Sequence, residues 1–265
     1  MGGSSDIITV SNVVAGYPGV RVLENVNFSV RRGEVFALLG GSVCGKSTIM
    51  KHLIGLNPVL DGTLVVDGLE MNAANRDRIL RRIGVMYQSG ALFGSMSVLE
   101  NVMLPLEEFT RLPAQARRLL ALMQLELVGL KDAADKMPSD ISGGMKKRVA
   151  IARAMALEPE ILFLDEPSAG LDPVTSSALD DLILRLRDTR GVSFVVVTHE
   201  LPSIFKIADR CAMFDRARQA MVALGRPCEL RDGSDDPFVR RFFNRGEEAP
   251  AQPPSNPESG VSHGE

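Results

Sequence analysis

Eight consecutive residues, Gly40-Gly41-Ser42-Val43-Cys44-Gly45-Lys46-Ser47, carry the spacing G-x-x-x-x-G-K-[ST] between an apolar run at 35–39 and a helical run ending near Leu56. Glycines let such a loop turn successive backbone N–H groups toward one anion, and the positive end of the following helix favours the same charge. The chemistry that fits is binding of the triphosphate of ATP. Lys46 reaches the β- and γ-phosphates, the Ser47 hydroxyl takes one place on an octahedral Mg²⁺, and the loop through Thr48 surrounds the phosphates. A glycine turn with an incidental lysine is the plainer reading, and the strand–loop–helix context disfavours it.

A second constellation follows the apolar run Ile161-Leu162-Phe163-Leu164, which leads directly into Asp165-Glu166-Pro167. A buried strand would deliver both carboxylates at its C-terminal edge, where α/β sheets bind ligands. Asp165 would hold Mg²⁺, directly or through water, and Glu166 would accept a proton from, or polarise, the water that attacks the γ-phosphate. Taken alone, the pair reads equally well as an acidic cap on the next segment. A third constellation, Ser142-Gly143-Gly144, opens a stretch in which Val149, Ile151, Ala152, Met155 and Ala156 recur at helical spacing. Small residues at a helix N-terminus form a second anion site. One chain that already cradles a triphosphate has use for another such site if it serves ATP held by a second copy, which implies a two-fold sandwich. A glycine-rich cap with no ligand is the alternative.

These residues need a frame. From Ile7 to Val30, short β-branched runs alternate with the turns Gly16-Tyr17-Pro18-Gly19 and Arg32-Gly33, and Thr63 to Val66 adds another run; together they predict an antiparallel sheet. Val35 to Leu39, Ile161 to Leu164 and Ser193 to Val197 lack alternation, as strands covered on both faces of a parallel α/β core do. The stretch 91–157, rich in Leu, Met, Ala and charge and broken at Pro105, Pro113 and Pro138, reads as a helical insertion. The tail 246–265 turns to Pro, Glu, Gly and Ser and is expected to be disordered. The expected organisation is thus one nucleotide-binding domain over 1–245 with a helical subdomain at about 91–157, and no internal repeat.

With 265 residues, 45% apolar and 24% charged, the chain can bury a substantial core. It has no apolar run near the roughly 20 residues that cross a bilayer, and its start resembles no signal region, so a cytoplasmic protein is expected. Cys44, Cys211 and Cys228 are too scattered for a disulfide framework or a zinc site and read as free thiols. The net charge of −3 argues against broad attraction to nucleic acid. Arginines 76, 78, 81 and 82 form a local basic patch whose plainer reading is the solvated face of a short helix around Ile79, Leu80 and Ile83.

Over roughly Ile7 to Arg245 the sequence resembles the ATP-binding cassette (ABC) family. The resemblance rests on motifs in the family's order: the phosphate loop, Gln88 after Val85-Met86-Tyr87, Ile141-Ser142-Gly143-Gly144-Met145, the acidic strand end, Ser168-Ala169-Gly170-Leu171-Asp172, and Thr198-His199. It implies a P-loop NTPase core with an antiparallel β subdomain and an inserted α-helical subdomain. It implies too that Tyr17 stacks on adenine, that Gln88 senses Mg²⁺ and the γ-phosphate, that His199 contacts the γ-phosphate, and that Asp172 crosses to the second subunit. Tyr17 packed on its own sheet, and Asp172 with Pro173 as an ordinary helix start, remain open beside those roles. The helical insertion would receive the coupling helices of a permease.

Gln88-Ser89-Gly90-Ala91-Leu92-Phe93, Leu112-Pro113, Met137-Pro138-Ser139, Ser142-Gly143-Gly144-Met145 and Ala156-Leu157-Glu158-Pro159 are similar to the MCE-linked, Mla-type branch of that family. That branch implies movement of lipid, typically phospholipid, between inner and outer membranes with an MlaE-like permease and an MCE-domain lipid-binding protein, from the cytoplasmic face of the bacterial inner membrane. An importer of amino acids or other small solutes is the nearest alternative. A non-transport ABC ATPase acting on DNA or ribosomes would bring a long coiled-coil insertion, a zinc module or a tandem cassette, and a small-molecule kinase would not need the Ser-Gly-Gly-Met element. The sequence departs from the family pattern in two places. Val43 and Cys44 stand where many members have a small residue or glycine, and the β-branched Val43 would be strained by any left-handed backbone the loop needs there, with nucleotide affinity at stake. Met145 stands in place of the usual glutamine, which the Mla-type branch tolerates.

Overall fold

The computed structural model describes residues 6–244. The chain opens with β1 (Asp6–Tyr17) and β2 (Val20–Arg31), paired antiparallel around the tight turn Pro18-Gly19, with Gly19 at φ 80°. Then come β3 (Val35–Gly40), the phosphate loop, α1 (Lys46–Leu53), β4 (Asp61–Val66) and β5 (Leu69–Glu70). The strand order β2-β1-β4-β5 makes the expected antiparallel sheet. Its apolar face, with Val10, Val26 and Leu64, shares one core with α1 and with one face of the central sheet.

Next in the chain are α2 (Arg76–Leu80), β6 (Ile83–Met86), α3 (Val98–Phe109), α4 (Ala114–Leu127), α5 (Gly143–Ala154) and β7 (Ile161–Asp165). After these the chain forms α6 (Pro173–Arg190), β8 (Ser193–Val197), α7 (Leu201–Ile207), β9 (Arg210–Asp215), β10 (Ala220–Gly225), α8 (Pro227–Gly233) and α9 (Pro237–Asn244). The central sheet runs β10-β9-β3-β8-β7-β6, parallel except for the β9–β10 pair. Every residue of β3 and β8 is buried, which explains why their sequences do not alternate. Because β3, β7 and β8 are neighbours, their C-terminal ends put the phosphate loop, Asp165-Glu166 and Thr198-His199 along one edge.

Between β6 and β7 lie α3, α4 and α5, with Val98, Val102, Leu106, Ala121, Leu125 and Val149 among the residues of a second core. A capping box starts α3: Ser97 Oγ accepts from the Glu100 amide, and the Glu100 carboxylate accepts from the Ser97 amide. The expected break at Pro105 is absent, for Pro105 lies inside α3. Its φ is compatible with a helix and only one backbone bond is lost, while the neighbours Val102 and Leu106 are buried in the core. Pro113 precedes α4, and Pro138 begins a short 3₁₀ turn, Pro138–Asp140. Fully buried Asn101 secures the segment that leads into α3: its Oδ1 accepts from the Phe93 amide at 2.8 Å, and its Nδ2 lies 3.0–3.1 Å from the carbonyls of Phe93, Met96 and Ser97.

Three of the four patch arginines have internal partners. Arg76 donates to the Gly55 carbonyl, Arg81 to that of Phe109, and Arg82 pairs with Asp67. All three cysteines are free thiols, Cys44 and Cys211 buried and Cys228 exposed. No helix among the described residues is long and apolar enough to cross a membrane. The expected disorder of 246–265 lies outside the described residues.

Candidate nucleotide site

A cavity of about 350 Å³ at the edge of the central sheet is lined by Gly40, Gly41, Ser42, Val43, Lys46 and Ser47 on one side. Gln88, Asp165, Glu166 and His199 face them. The loop is held by close approach: a Cβ at Gly40 would lie 2.4 Å from the Phe214 carbonyl oxygen, and one at Gly45 would lie 2.8 Å from the Leu23 side chain. Both glycines also have positive φ, so no other residue fits either position without strain. Val43 does adopt the left-handed backbone, at φ 58°, with its side chain 77% exposed. Cys44 is buried beneath the loop. Lys46 Nζ donates to the carbonyls of Gly40 and Gly41 at 2.9 and 2.8 Å, so the ammonium stays within the curve of the loop.

Across the cavity, β7 delivers Asp165 and Glu166. Glu166 has φ 47°, and its amide is fixed by donation to the Val197 carbonyl at 2.8 Å. Its side chain is only 12% exposed. Oε1 accepts from His199 Nδ1 at 2.8 Å, while Oε2 is buried without a protein partner. Burial, and after it the Glu166 charge, hold the Asp165 carboxyl above the ordinary carboxylate range against the pull of Lys46, Lys147 and Lys51. Ser47, Gln88 and Asp165 thus present oxygens beside an unpartnered carboxylate oxygen of Glu166, a hard donor set that suits Mg²⁺. No cluster of three His, Cys, Asp or Glu forms a self-sufficient metal cage among the described residues.

Tyr17 does not line the cavity. It ends β1 and is 39% exposed, with its hydroxyl bonded to Thr48 and 3.4 Å from Lys51 Nζ, both on α1. The Thr48 bond, followed by Lys51, pulls the phenol below its ordinary range. The amide before it, that of Gly16, donates to Nε2 of fully buried His52 at 3.0 Å, so Nδ1 is the ring donor to the Asn57 carbonyl. His52 therefore anchors the turn that carries Tyr17, and nothing in its sequence neighbourhood marks it.

Ser142, Gly143, Gly144 and Asp172 also lie outside this cavity, and they sit beside one another. Ser142 caps α5 by accepting from the Met145 amide at 3.3 Å, and Asp172 caps α6 by accepting from the amides of Val174 and Thr175 at 3.0 Å. A Cβ at Gly144 would meet Thr175 at 2.5 Å, so glycine lets the two helix starts pack together. Ser142, Gly143 and Asp172 are exposed. Sequence reasoning missed Lys147, also on α5, which is 7% exposed and bonded to the main chain at Gln88 and Glu166. The signal available was a lysine on the apolar face of a helix.

The sequence matches the family described as ABC transporter over residues 23–169, more than half of the chain. It is 40% identical over 226 residues to the intermembrane phospholipid transport ATP-binding protein MlaF of Escherichia coli, covering 84% of this chain and 83% of that one. It is 37% identical to a probable ribonucleotide transport ATP-binding protein of Mycobacterium tuberculosis, covering 89% of this chain and 66% of that one. Among solved structures, an ATP-binding cassette of Clostridium perfringens, part of the cbiONQ transporter complex, superposes with a TM-score of 0.80 at 28% identity, covering 91% of this chain and 96% of that one. A dimeric cassette in a post-hydrolysis state with ADP and Pi does so with a TM-score of 0.74 at 29% identity, covering 83% of this chain and 98% of that one. A phosphate cradle facing two carboxylates, in a chain related at this level to ATP-hydrolysing cassettes, establishes that the protein belongs to the ABC transporter family and hydrolyses ATP.

Proposed function

We propose that two copies of this chain close around two ATP molecules and drive a lipid-transporting permease, the lipid being phospholipid. The observation that carries the paired arrangement is the junction of Ser142-Gly143-Gly144 with Asp172, where Ser142, Gly143 and Asp172 are exposed, an anion-binding helix start outside the cavity of its own chain. In the closed pair this junction faces the γ-phosphate held by the other copy. Within each site, Gly40 to Thr48 wrap the phosphates, Lys46 neutralises them, and Tyr17 supports the adenine. Ser47, Gln88 and Asp165 would hold Mg²⁺, which would supply positive charge to offset that of the triphosphate. Glu166 orients the attacking water and accepts its proton on Oε2, and His199 fixes the Glu166 carboxylate through Oε1 and reaches toward the γ-phosphate. Loss of the γ-phosphate removes the contact that joins the copies, so they reopen.

The permease has a place to dock. A groove of about 430 Å³ between the central sheet and the helical insertion is lined by Leu80, Val85, Tyr87, Phe93, Pro105 and Phe109 among others, and Tyr87, Phe93 and Phe109 are substantially exposed. Its apolar walls suit a short helix from an integral-membrane subunit on the cytoplasmic face of the inner membrane. The phospholipid assignment draws on the E. coli relative and on the Mla-type sequence pattern. Purification of the chain with its native membrane partners tests it. An MlaE-like permease together with an MCE-domain protein supports lipid traffic, whereas a periplasmic solute-binding protein would replace it with small-solute import. The paired site is tested by trapping the ATP-loaded assembly: Ser142 and Gly143 lying far from every γ-phosphate would overturn it.

A further inference from the structure

The helix that presents Ser142 is fastened from behind to the catalytic edge of its own chain. One turn into α5, the Lys147 ammonium lies inside the protein and donates to the main-chain carbonyl of Gln88 and, at 3.3 Å, to that of Glu166. Six residues further on, Arg153 donates to the carbonyls of Gly90 and Ala91, both at 2.8 Å. The segment 88–91 is therefore bound to α5 by side chains at three of its carbonyls. Ala91 and Glu166 both sit in left-handed backbone, where a peptide keeps its orientation only if its surroundings hold it. The Glu166 carbonyl has two holders, Lys147 and the Ala169 amide at 3.2 Å.

Burying an ammonium is costly, and a neutral side chain of similar length would fill the same space at less expense. Burial draws the Lys147 ammonium below the ordinary lysine range, while the nearby charges of Glu166 and Asp165 act to keep it protonated. What the charge provides is one donor group that touches both sides of the site: Gln88 on the segment leading to the helical insertion, and Glu166 at the end of β7.

We propose that Lys147 is a positioning residue that links the two nucleotide sites of the paired assembly. It holds Gln88 and Glu166 of its own site from the helix whose N-terminus serves the ATP of the other copy. A shift of α5 when Ser142 meets that ATP is passed through Nζ to the peptide that aims the Glu166 carboxylate, so each site becomes competent when the other is filled. This inference rests on the paired reading above.

The test is steady-state ATP hydrolysis by the full chain as a function of ATP concentration, comparing the parent with Lys147→Met and Lys147→Gln. Methionine keeps the length and loses every donor; glutamine keeps an amide donor. The methionine variant should lose about tenfold in kcat, the size of one charge-assisted hydrogen bond, and its Hill coefficient should fall toward 1 while ATP affinity stays within about threefold. The glutamine variant should recover much of both. Parent-like kcat and Hill coefficient in the methionine variant would overturn the proposal. So would a loss in which glutamine is no better than methionine and kcat, ATP affinity and melting temperature fall together, since that marks a purely structural lysine. Failure of the paired reading shows separately and without any Lys147 variant: Glu166→Gln protein that stays monomeric with MgATP, with a parent Hill coefficient of 1, removes the pair and the link with it.

Discussion

Replacing Glu166 by glutamine keeps the shape of a nearly buried side chain and removes its ability to take a proton. The amide oxygen can still accept from His199 Nδ1, which lies 2.8 Å from Oε1, so the side chain keeps its orientation. The amide nitrogen then stands where Oε2, buried and free of protein partners, left an acceptor on a side chain that lines the cavity. A donor in that place cannot accept the proton of the attacking water. General-base action is worth about 10²–10⁴ in rate, or about 3–5 kcal/mol of barrier, and hydrolysis should slow by that factor. The phosphate loop is untouched, so ATP affinity should stay within about threefold. Phosphate release at saturating MgATP gives the first quantity and titration with a fluorescent ATP analogue the second. His199→Ala removes the other end of the same hydrogen bond, so the two losses should fall short of additive by about 1–3 kcal/mol in the double variant. Turnover within about fivefold of the parent, with nucleotide still bound, would refute the role given to Glu166; strict additivity would refute its dependence on His199.

Lys46→Ala removes the only side-chain ammonium that lines the cavity among the described residues and should weaken MgATP binding by at least about tenfold, from the loss of charge-assisted hydrogen bonds worth roughly 1.5–3 kcal/mol; calorimetric titration showing undiminished affinity would contradict it. Asp165 is held above its ordinary value of 3.8, so the folded chain binds this proton more readily than the unfolded one, and stability falls as pH rises through the folded pKa. Asp165→Asn should therefore stabilise the nucleotide-free protein at pH 7 while abolishing hydrolysis. In urea denaturation this gain should vanish below the ordinary aspartate pKa, and a pH-independent gain would refute the cause. Val43→Gly relieves about 1–2 kcal/mol of left-handed strain against about 0.5–1 kcal/mol of added chain entropy, so the melting midpoint should rise by about 1–3 °C. A midpoint below that of the parent would show that the loop is not strained there.

What the sequence determined is local. A glycine loop between a strand and a helix, two carboxylates at the end of an apolar run, and a small-residue helix start each occupy adjacent positions, so their chemistry is legible without knowing what they face. Buried strands and amphipathic helices are equally legible because apolar spacing reports how many faces of an element are covered. The tertiary structure decided everything that depends on which elements are neighbours. The β3-β8-β7 order brings Glu166 to His199, 33 residues apart, at 2.8 Å. Packing outweighed the break expected at Pro105 and carried α3 through it. His52, Asn101 and Lys147 work by bonding to main-chain carbonyls and amides of other segments, and a side chain that answers a backbone group leaves no matching residue type in the sequence to betray it.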